Sequence, residues 1–367
     1  MNFSFDKDAL IKEVAIAQEI ITTKQPVSIL SNILLTAEQN TLTIKASDAS
    51  LNFTTKIPVS VKEEGTTTIY CDKFMSILSA SPSGEIEFLQ EDSKVTIKPL
   101  NKKIKFQLKS MTSDKFPLIK NASETPFFEV PAKDFKEMIY QTNFAVSEDS
   151  TRFFLMGVYL LKEDNNLVMV STDGRRLSFI QKEITTSVPD FTPAIVPVKI
   201  LNCILKNASD EGNISLSVVE KQIFVKFGNY EFSSSLLEGQ FPNYKKVIPE
   251  NQEFSFSVKK EDLDSALKRT SILVEKKVNR LWFKVEKDML TIICPETELG
   301  TAEEKISCVY NGNEITFAFN YTYVFEALRA IKSDEIVFEF SDTTKAVTMK
   351  PNPQEEYFHI VMPKSIN

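Results

Sequence analysis

One spacing governs what this chain can fold into. The pair Phe116-Pro117 returns at Phe241-Pro242, and the alternating start around Phe3 returns at Phe128, in both cases 125 residues on. A single offset at both ends of a segment marks an internal repeat. The first copy opens on Phe3 and Phe5. It then changes period, with Leu10, Val14, Ala17 and Ile21 at helical spacing behind Asp6 or Asp8 as a cap. Alternation at Leu42, Ile44 and Ala46 and from Leu51 to Val61 predicts half-buried antiparallel strands, and a short helix is expected from Asp72 to Ala80.

The second copy repeats this programme. Phe135, Met138, Ile139 and Thr142 give its first helix, Val198 to Asn207 its second. A third begins at Phe254-Ser255-Phe256, with Leu263, Ala266, Leu267 and Thr270 as one helical stripe and Tyr321, Val324, Leu328 and Ile331 as another. The polar stretches 120–126 and 249–253 separate the copies. The expected domains are therefore 1–122, 123–250 and 251–367, all of a strand-rich α+β type.

Composition narrows the function. The net charge of −7 argues against a strongly electrostatic nucleic-acid binder. Cys71, Cys203, Cys294 and Cys308 lie far apart, so neither structural zinc nor a disulfide framework is expected. The start lacks a basic segment followed by an apolar one, and no apolar run reaches the length of a membrane helix, so a cytoplasmic protein with no membrane partner is expected. His359 is the one histidine and is expected at an edge or surface position, which leaves a nucleophilic triad without a base. No glycine-rich phosphate loop occurs, and Asp173-Gly174 lacks companion carboxylates for a metal. Neither catalysis nor a cofactor is expected.

Two features point instead to binding. In Ser171-Thr172-Asp173-Gly174-Arg175-Arg176-Leu177, two strand-like runs flank an Asp-Gly, which reads as a tight turn with two guanidinium groups at its mouth. Lysines also recur away from the apolar stripes of several helices: Lys12, Lys133 with Lys136, Lys199 with Lys206, and Arg329 with Lys332. Each alone is what any solvated helix displays. Repeated across copies, they suggest one shared basic surface suited to phosphate contact without base readout.

Four segments then resemble one family: Lys24-Gln25-Pro26-Val27-Ser28-Ile29-Leu30-Ser31-Asn32, the Ser171–Leu177 stretch, Leu237 to Pro249 around Phe241-Pro242-Asn243-Tyr244, and the terminal Val361-Met362-Pro363. Their order and spacing across the whole chain are similar to the bacterial DNA sliding clamp, the DNA polymerase III beta subunit. The resemblance implies three repeated clamp domains with antiparallel sheets outside. Their helices would line a ring closed by a head-to-tail homodimer, which slides on duplex DNA as a polymerase processivity factor. The implied partners are double-stranded DNA, the polymerase III catalytic subunit, the clamp loader, other DNA polymerases and mismatch-repair proteins.

By the same resemblance, DNA contact falls on Lys24, Lys73, Arg152, Phe153, Phe154 and Lys199, to which the helix-face reading adds Lys12. Lys24 and Lys73 stand where the family tends to have arginine, and Asp149 where it has an amide. A pocket for a glutamine-leucine-aromatic peptide falls on Leu155, Thr172, Gly174, Arg175, Arg176, Leu177, Pro242, Val247, Val361, Met362 and Pro363. Here the family often has histidine at the place of Arg175, and this tail is one residue longer and more polar. Ring closure falls on Phe106 and Leu108, flanked by Lys103 and Lys105, facing Ile272 and Leu273 with Glu298, Glu303 and Glu304. On the residues alone two other readings stay open: a repeat scaffold that binds proteins but never DNA, and a metal-dependent nucleic-acid hydrolase using Asp173.

Overall fold

The computed structural model describes residues 1–22, 28–119, 126–184, 188–275 and 277–365. Among these, each repeat supplies two α-helices. The first helices are α1 (Lys7–Ile20), α3 (Ala132–Thr142) and α5 (Lys260–Thr270); the second are α2 (Cys71–Ala80), α4 (Val198–Asn207) and α6 (Tyr321–Ala330). The capping logic holds at α1, where Asp6 Oδ1 accepts from the Ala9 N–H at 3.0 Å. Its buried stripe is Leu10, Val14, Ile16, Ala17 and Ile20, so Ile20 takes the inward place expected of Ile21.

Polar bonds couple the two helices of each repeat. Gln18 Nε2 of α1 donates to Asp72 Oδ1 of α2 at 2.7 Å, and Asn143 at the end of α3 donates to Asn202 of α4 at 2.6 Å. Lys260 at the start of α5 donates to the Ile331 carbonyl just past α6.

The chain divides into two compact units, 1–130 with 212–235, and 131–211 with 236–367. The first holds one antiparallel sheet of thirteen strands. Within it, strand Leu51–Pro58 of the first repeat pairs with Tyr230–Ser235 of the second, in the register Phe53 to Phe232, whose rings lie 5.1 Å apart. The second unit holds a twelve-stranded sheet, in which Arg176–Glu183 of the second repeat pairs with Tyr357–Val361 of the third. These two pairings each close a strand edge that the first or second repeat would otherwise leave open. The second repeat is divided between the two units because its strands are shared in this way.

Strand interiors follow the period of two. Leu51, Phe53, Thr55 and Ile57 are buried, while their alternates reach solvent. The thiols of Cys71, Cys203, Cys294 and Cys308 are free and buried; burial raises Cys71 to about 12.

Three sequence expectations are corrected. His359 is neither at an edge nor at the surface: its strand lies between two others and the side chain is buried, with Nδ1 at 3.0 Å from Ser178 Oγ. Lys332 lies beyond the end of α6 and pairs with Glu137 at 2.7 Å instead of sharing a helix face with Arg329. Lys136 is spent on Asp210 and the Ala208 carbonyl, so the basic faces are smaller than the sequence suggests.

Candidate functional site

The Asp173-Gly174 turn is the best-organised polar feature of the second unit. Strands Asn166–Thr172 and Arg176–Glu183 run into it, and Gly174 takes φ +87°, a conformation that disfavours any side chain. Asp173 Oδ1 accepts from the N–H groups of Arg175 (2.8 Å) and Arg176 (3.1 Å), and its Oδ2 pairs with Arg176 Nε at 3.2 Å. Asp173 therefore closes the turn as an acceptor, which leaves little of the carboxylate for a metal.

Arg176 is equally committed. Beyond Asp173 it pairs with Glu326 of α6 and donates to the Phe144 carbonyl at 2.7 Å. It lies over the Tyr323 ring at 4.5 Å. Arg152 closes the turn from the other side: Nη1 donates to the Asp173 carbonyl at 2.9 Å and Nε to Asp149 Oδ2 at 3.0 Å. Asp149 caps the 3-10 helix Ser150–Leu155 by accepting from the Thr151 N–H and hydroxyl, and these bonds, with Arg152, hold its carboxyl below the usual range. A capping role accounts for the acid at this place.

Under the hairpin lies an apolar cluster. Leu155 and Leu177 join Val168, Val170, Phe241, Tyr244 and Ile360 there, with Phe154 packed against it. Thr172 and Val361 are also buried, Val361 pairing across the strands with Arg176. Pro242 and Val247 lie exposed around the 3-10 helix Tyr244–Val247, with Val247 57% exposed.

Beside the turn the C-terminal strand ends with the Met362 N–H donating to the Arg175 carbonyl at 2.9 Å. Here a cavity of about 550 Å³ opens, lined by Arg175, Met362 and Pro363 together with Asn320, Tyr323 and the segment Lys277–Val278. Of the predicted pocket residues, Arg175, Met362 and Pro363 line this cavity. Leu155, Thr172, Leu177 and Val361 are buried and do not line it, while Arg175, Met362 and Val247 are open to solvent.

Sequence reasoning missed the cavity's third-repeat side. Asn320 caps α6 through Oδ1, accepting from Thr322 N–H at 3.2 Å, and this capping pattern was the one available signal. Nothing local distinguishes Lys277, Arg280 or Lys364.

The other predicted residues lie elsewhere. Lys12 on α1 and Lys73 on α2 are exposed, and no acidic group among the described residues forms a salt bridge with either. Lys199 is half-buried in the first turn of α4. Phe153 is exposed, its ring edge-on to Phe154 at 5.9 Å. Lys24 lies outside the described residues.

Phe106 and Leu108 are half-buried, with Lys103 and Lys105 exposed. Strand Phe106–Met111 pairs with 94–97 through Phe106–Lys109 but meets Gly65–Tyr70 only at Ser110 and Met111. Among the described residues the first half of this strand has one edge without a strand partner. Strand Gly300–Val309 is similar, meeting Phe254–Lys259 only at Val309 and Cys308. Near it Ile272 is 73% exposed, Leu273 is half-buried, and Leu299, absent from the sequence reading, is exposed. Glu298 and Glu303 are exposed. Within the chain Glu303 pairs with Lys305 at 3.6 Å and Glu304 with Arg269 Nε at 2.8 Å.

Three family models match the chain in sequence order: the DNA polymerase III beta subunit N-terminal domain over 1–120, its central domain over 129–243 and its C-terminal domain over 245–365. The chain belongs to the DNA polymerase III beta subunit family. It is 43% identical to the beta sliding clamp of Treponema pallidum over 367 residues, covering 99% of each chain. It is 27% identical to that of Staphylococcus epidermidis, again over 99% of each. The fold matches the sliding clamps of Pseudomonas aeruginosa (TM-score 0.94, 24% identity) and Bacillus subtilis (TM-score 0.94, 23% identity) over the whole of both chains. Family members are non-catalytic accessory proteins of replication, sliding clamps that serve the polymerase as processivity factor. No helix among the described residues is long and apolar enough to cross a membrane.

Proposed function

We propose that two copies of this chain close head to tail into a ring around duplex DNA, and that each copy holds partner proteins in the cavity beside the Asp173-Gly174 turn. The domains would run 1–122, 123–250 and 251–367. The half-open strand edges at Phe106–Lys109 and Gly300–Ser307 supply complementary surfaces for closure. Phe106 and Leu108 would meet Ile272, Leu273 and Leu299, while Lys103 and Lys105 face Glu298 and Glu303. Lys12, Lys24, Lys73, Arg152, Phe153, Phe154 and Lys199 are assigned to DNA. A ring holds DNA by topology, so a few weak lysine contacts suffice, and a net charge of −7 is no obstacle.

The observation that carries the peptide reading is the cavity itself. A mixed apolar and polar recess opens where Met362 is fastened to Arg175, and Leu155 and Leu177 belong to a buried apolar cluster of the same hairpin. An adaptable methionine and a proline can cover leucine and aromatic side chains, while Asn320 and backbone groups fix the peptide chain. The proposed partners are the polymerase III catalytic subunit, the clamp loader, other DNA polymerases and mismatch-repair proteins, entering through one short motif.

The test is fluorescence anisotropy of a labelled glutamine-leucine-aromatic peptide with wild type and with Met362→Ala. Micromolar binding that weakens about tenfold in the variant is expected. Equal binding to both proteins would move the pocket elsewhere.

A further inference from the structure

The two places where neighbouring repeats join their sheets share a strand register and differ in chemistry. In the second unit, Leu161 pairs with Val168, Val170 with Phe179, and Leu177 with Ile360 of the third repeat. These residues form or pack against the apolar cluster that also holds Phe241 and Tyr244, from the segment leading into the third repeat. The positions 125 residues earlier pair in the same way in the first unit: Thr36 with Thr43, Lys45 with Thr54, and Asn52 with Ser233 of the second repeat. Each apolar position of one junction is polar in the other. Over this polar face lies a recess of about 450 Å³, with Ile119 and Phe224 among the described residues that line it.

Polarity alone is what any solvated sheet face displays; the placing of its charges is more specific. Lys45 faces Thr54 and Lys56 faces Thr43 across adjacent strands. The two lysines are therefore diagonal neighbours on one face, close enough for long side chains to meet a common group, and each stands beside a hydroxyl. Lys45 is half-buried and Lys56 exposed, and among the described residues no acidic side chain forms a salt bridge with either. The carboxylates of the recess do not neutralise them. Glu231 pairs with Lys226 at 3.7 Å, and Glu38 stands opposite Thr41 at the end of its strand. Lys226 is further engaged by the Phe127 ring, 4.7 Å from its ammonium. Asn52 is spent on Ser233, to whose hydroxyl it donates at 3.2 Å.

We infer that this recess is a separate docking site, which takes an extended acidic segment of a partner protein and receives a carboxylate between Lys45 and Lys56. It shares no residue with the cavity beside the Asp173-Gly174 turn and stands whether or not that cavity holds peptides. The matching face of the other junction shows which kind of occupant fits, since there the stretch of chain carrying Phe241 and Tyr244 packs on the same strand register. A recess of this size takes a few side chains, not a folded surface. Two neighbouring ammonium groups without a counter-ion repel each other, and a carboxylate between them relieves that repulsion while the threonine hydroxyls complete its hydrogen bonds. Ile119 and Phe224 offer apolar contact to the residues beside the acid. A lysine in the acid's place would be repelled, which adds discrimination between partners.

The test is a positional-scanning library of labelled octapeptides, each pool fixing one residue at one position, read by anisotropy. At low salt, pools fixing aspartate or glutamate are expected to bind wild type about five- to tenfold more tightly than those fixing asparagine or glutamine, the preference shrinking at high salt. It should persist in Met362→Ala and under saturating glutamine-leucine-aromatic peptide. With Lys45→Gln and Lys56→Gln together the ratio should fall toward one, and with glutamate at both positions it should invert in favour of lysine pools. Both side chains lie on the outward face of their strands, so the fold is kept, which circular dichroism checks. The absence of an acidic preference, or one that survives the double glutamine variant, would overturn the inference. A preference abolished by Met362→Ala would assign the binding to the other cavity and overturn it too. Loss of self-association in the double variant, measured by sedimentation without peptide, would make the occupant a second copy of this chain and equally overturn it.

Discussion

Arg176 Nε stands 3.2 Å from Asp173 Oδ2 across the Asp-Gly turn, and the same guanidinium reaches Glu326 on α6. One half-buried cation thus fastens the turn to the last helix. It positions the cavity's edge from beneath, while Arg175, the next residue, is left facing solvent.

Arg176→Ala is expected to destabilise the second unit by about 3 kcal/mol, the order seen when one member of a buried ion pair is deleted. Arg176→Lys should recover part of this, since lysine keeps the charge but cannot reach Asp173, Glu326 and the Phe144 carbonyl together. Urea unfolding of the two variants measures it; equal midpoints for alanine and wild type would contradict the assignment.

Gly174→Ala places a methyl group at φ +87° and 3.1 Å from Arg152 Nη1. A cost of about 1–2 kcal/mol is expected from the backbone alone. Because the turn carries Arg175 and its bond to Met362, peptide affinity should fall with stability, which parallel unfolding and anisotropy measurements would show.

The buried His359 gives a pH signature. Burial first, and then the charge of Arg176, lower its pKa from 6.5 to about 3. The folded state therefore keeps it neutral where the unfolded chain would protonate. Its cost is absent above pH 6.5 and grows as pH falls from 6.5 toward 3, by about 1.4 kcal/mol per pH unit at most. The stability difference between wild type and His359→Gln should be constant above pH 7 and move in favour of the variant below 6.5. Unfolding at pH 7.5 and 5.5 measures it, and an unchanged difference would mean that His359 titrates normally.

Ile272→Asp tests ring closure. The side chain is 73% exposed in the single chain, so folding should be unaffected while a charge enters the proposed contact with Phe106 and Leu108. Sedimentation should turn from dimer to monomer at micromolar concentration, with the circular dichroism unchanged. A dimer of undiminished affinity would place the interface elsewhere.

Much of this architecture was legible because the informative signals were local and periodic. The stripe Leu263, Ala266, Leu267 and Thr270 is the buried face of α5, and Val198–Asn207 forms α4 with the expected bounds. What failed depended on partners distant in sequence. A strand containing His359 reads as an edge until Arg176–Glu183 and Val347–Asn352 are known to flank it. Lys136 and Glu304 read as free charges because Asp210 and Arg269 lie 74 and 35 residues away. The cavity was half visible: Arg175 and Met362 belong to motifs, whereas Lys277, Arg280 and Lys364 become a group only when the third repeat's strands fold beside the turn.

The measurement that tests the central claim most directly is retention on DNA of defined topology. The protein is incubated with the proposed clamp loader, ATP and a nicked circular plasmid, separated from free protein by gel filtration, and half of the sample is then linearised. The account predicts stable co-elution with the circle and loss within minutes from the linear form, because a ring without tight contacts slides off an open end. Equal retention on both forms would show that ordinary affinity holds the protein to DNA, and would contradict the encircling ring.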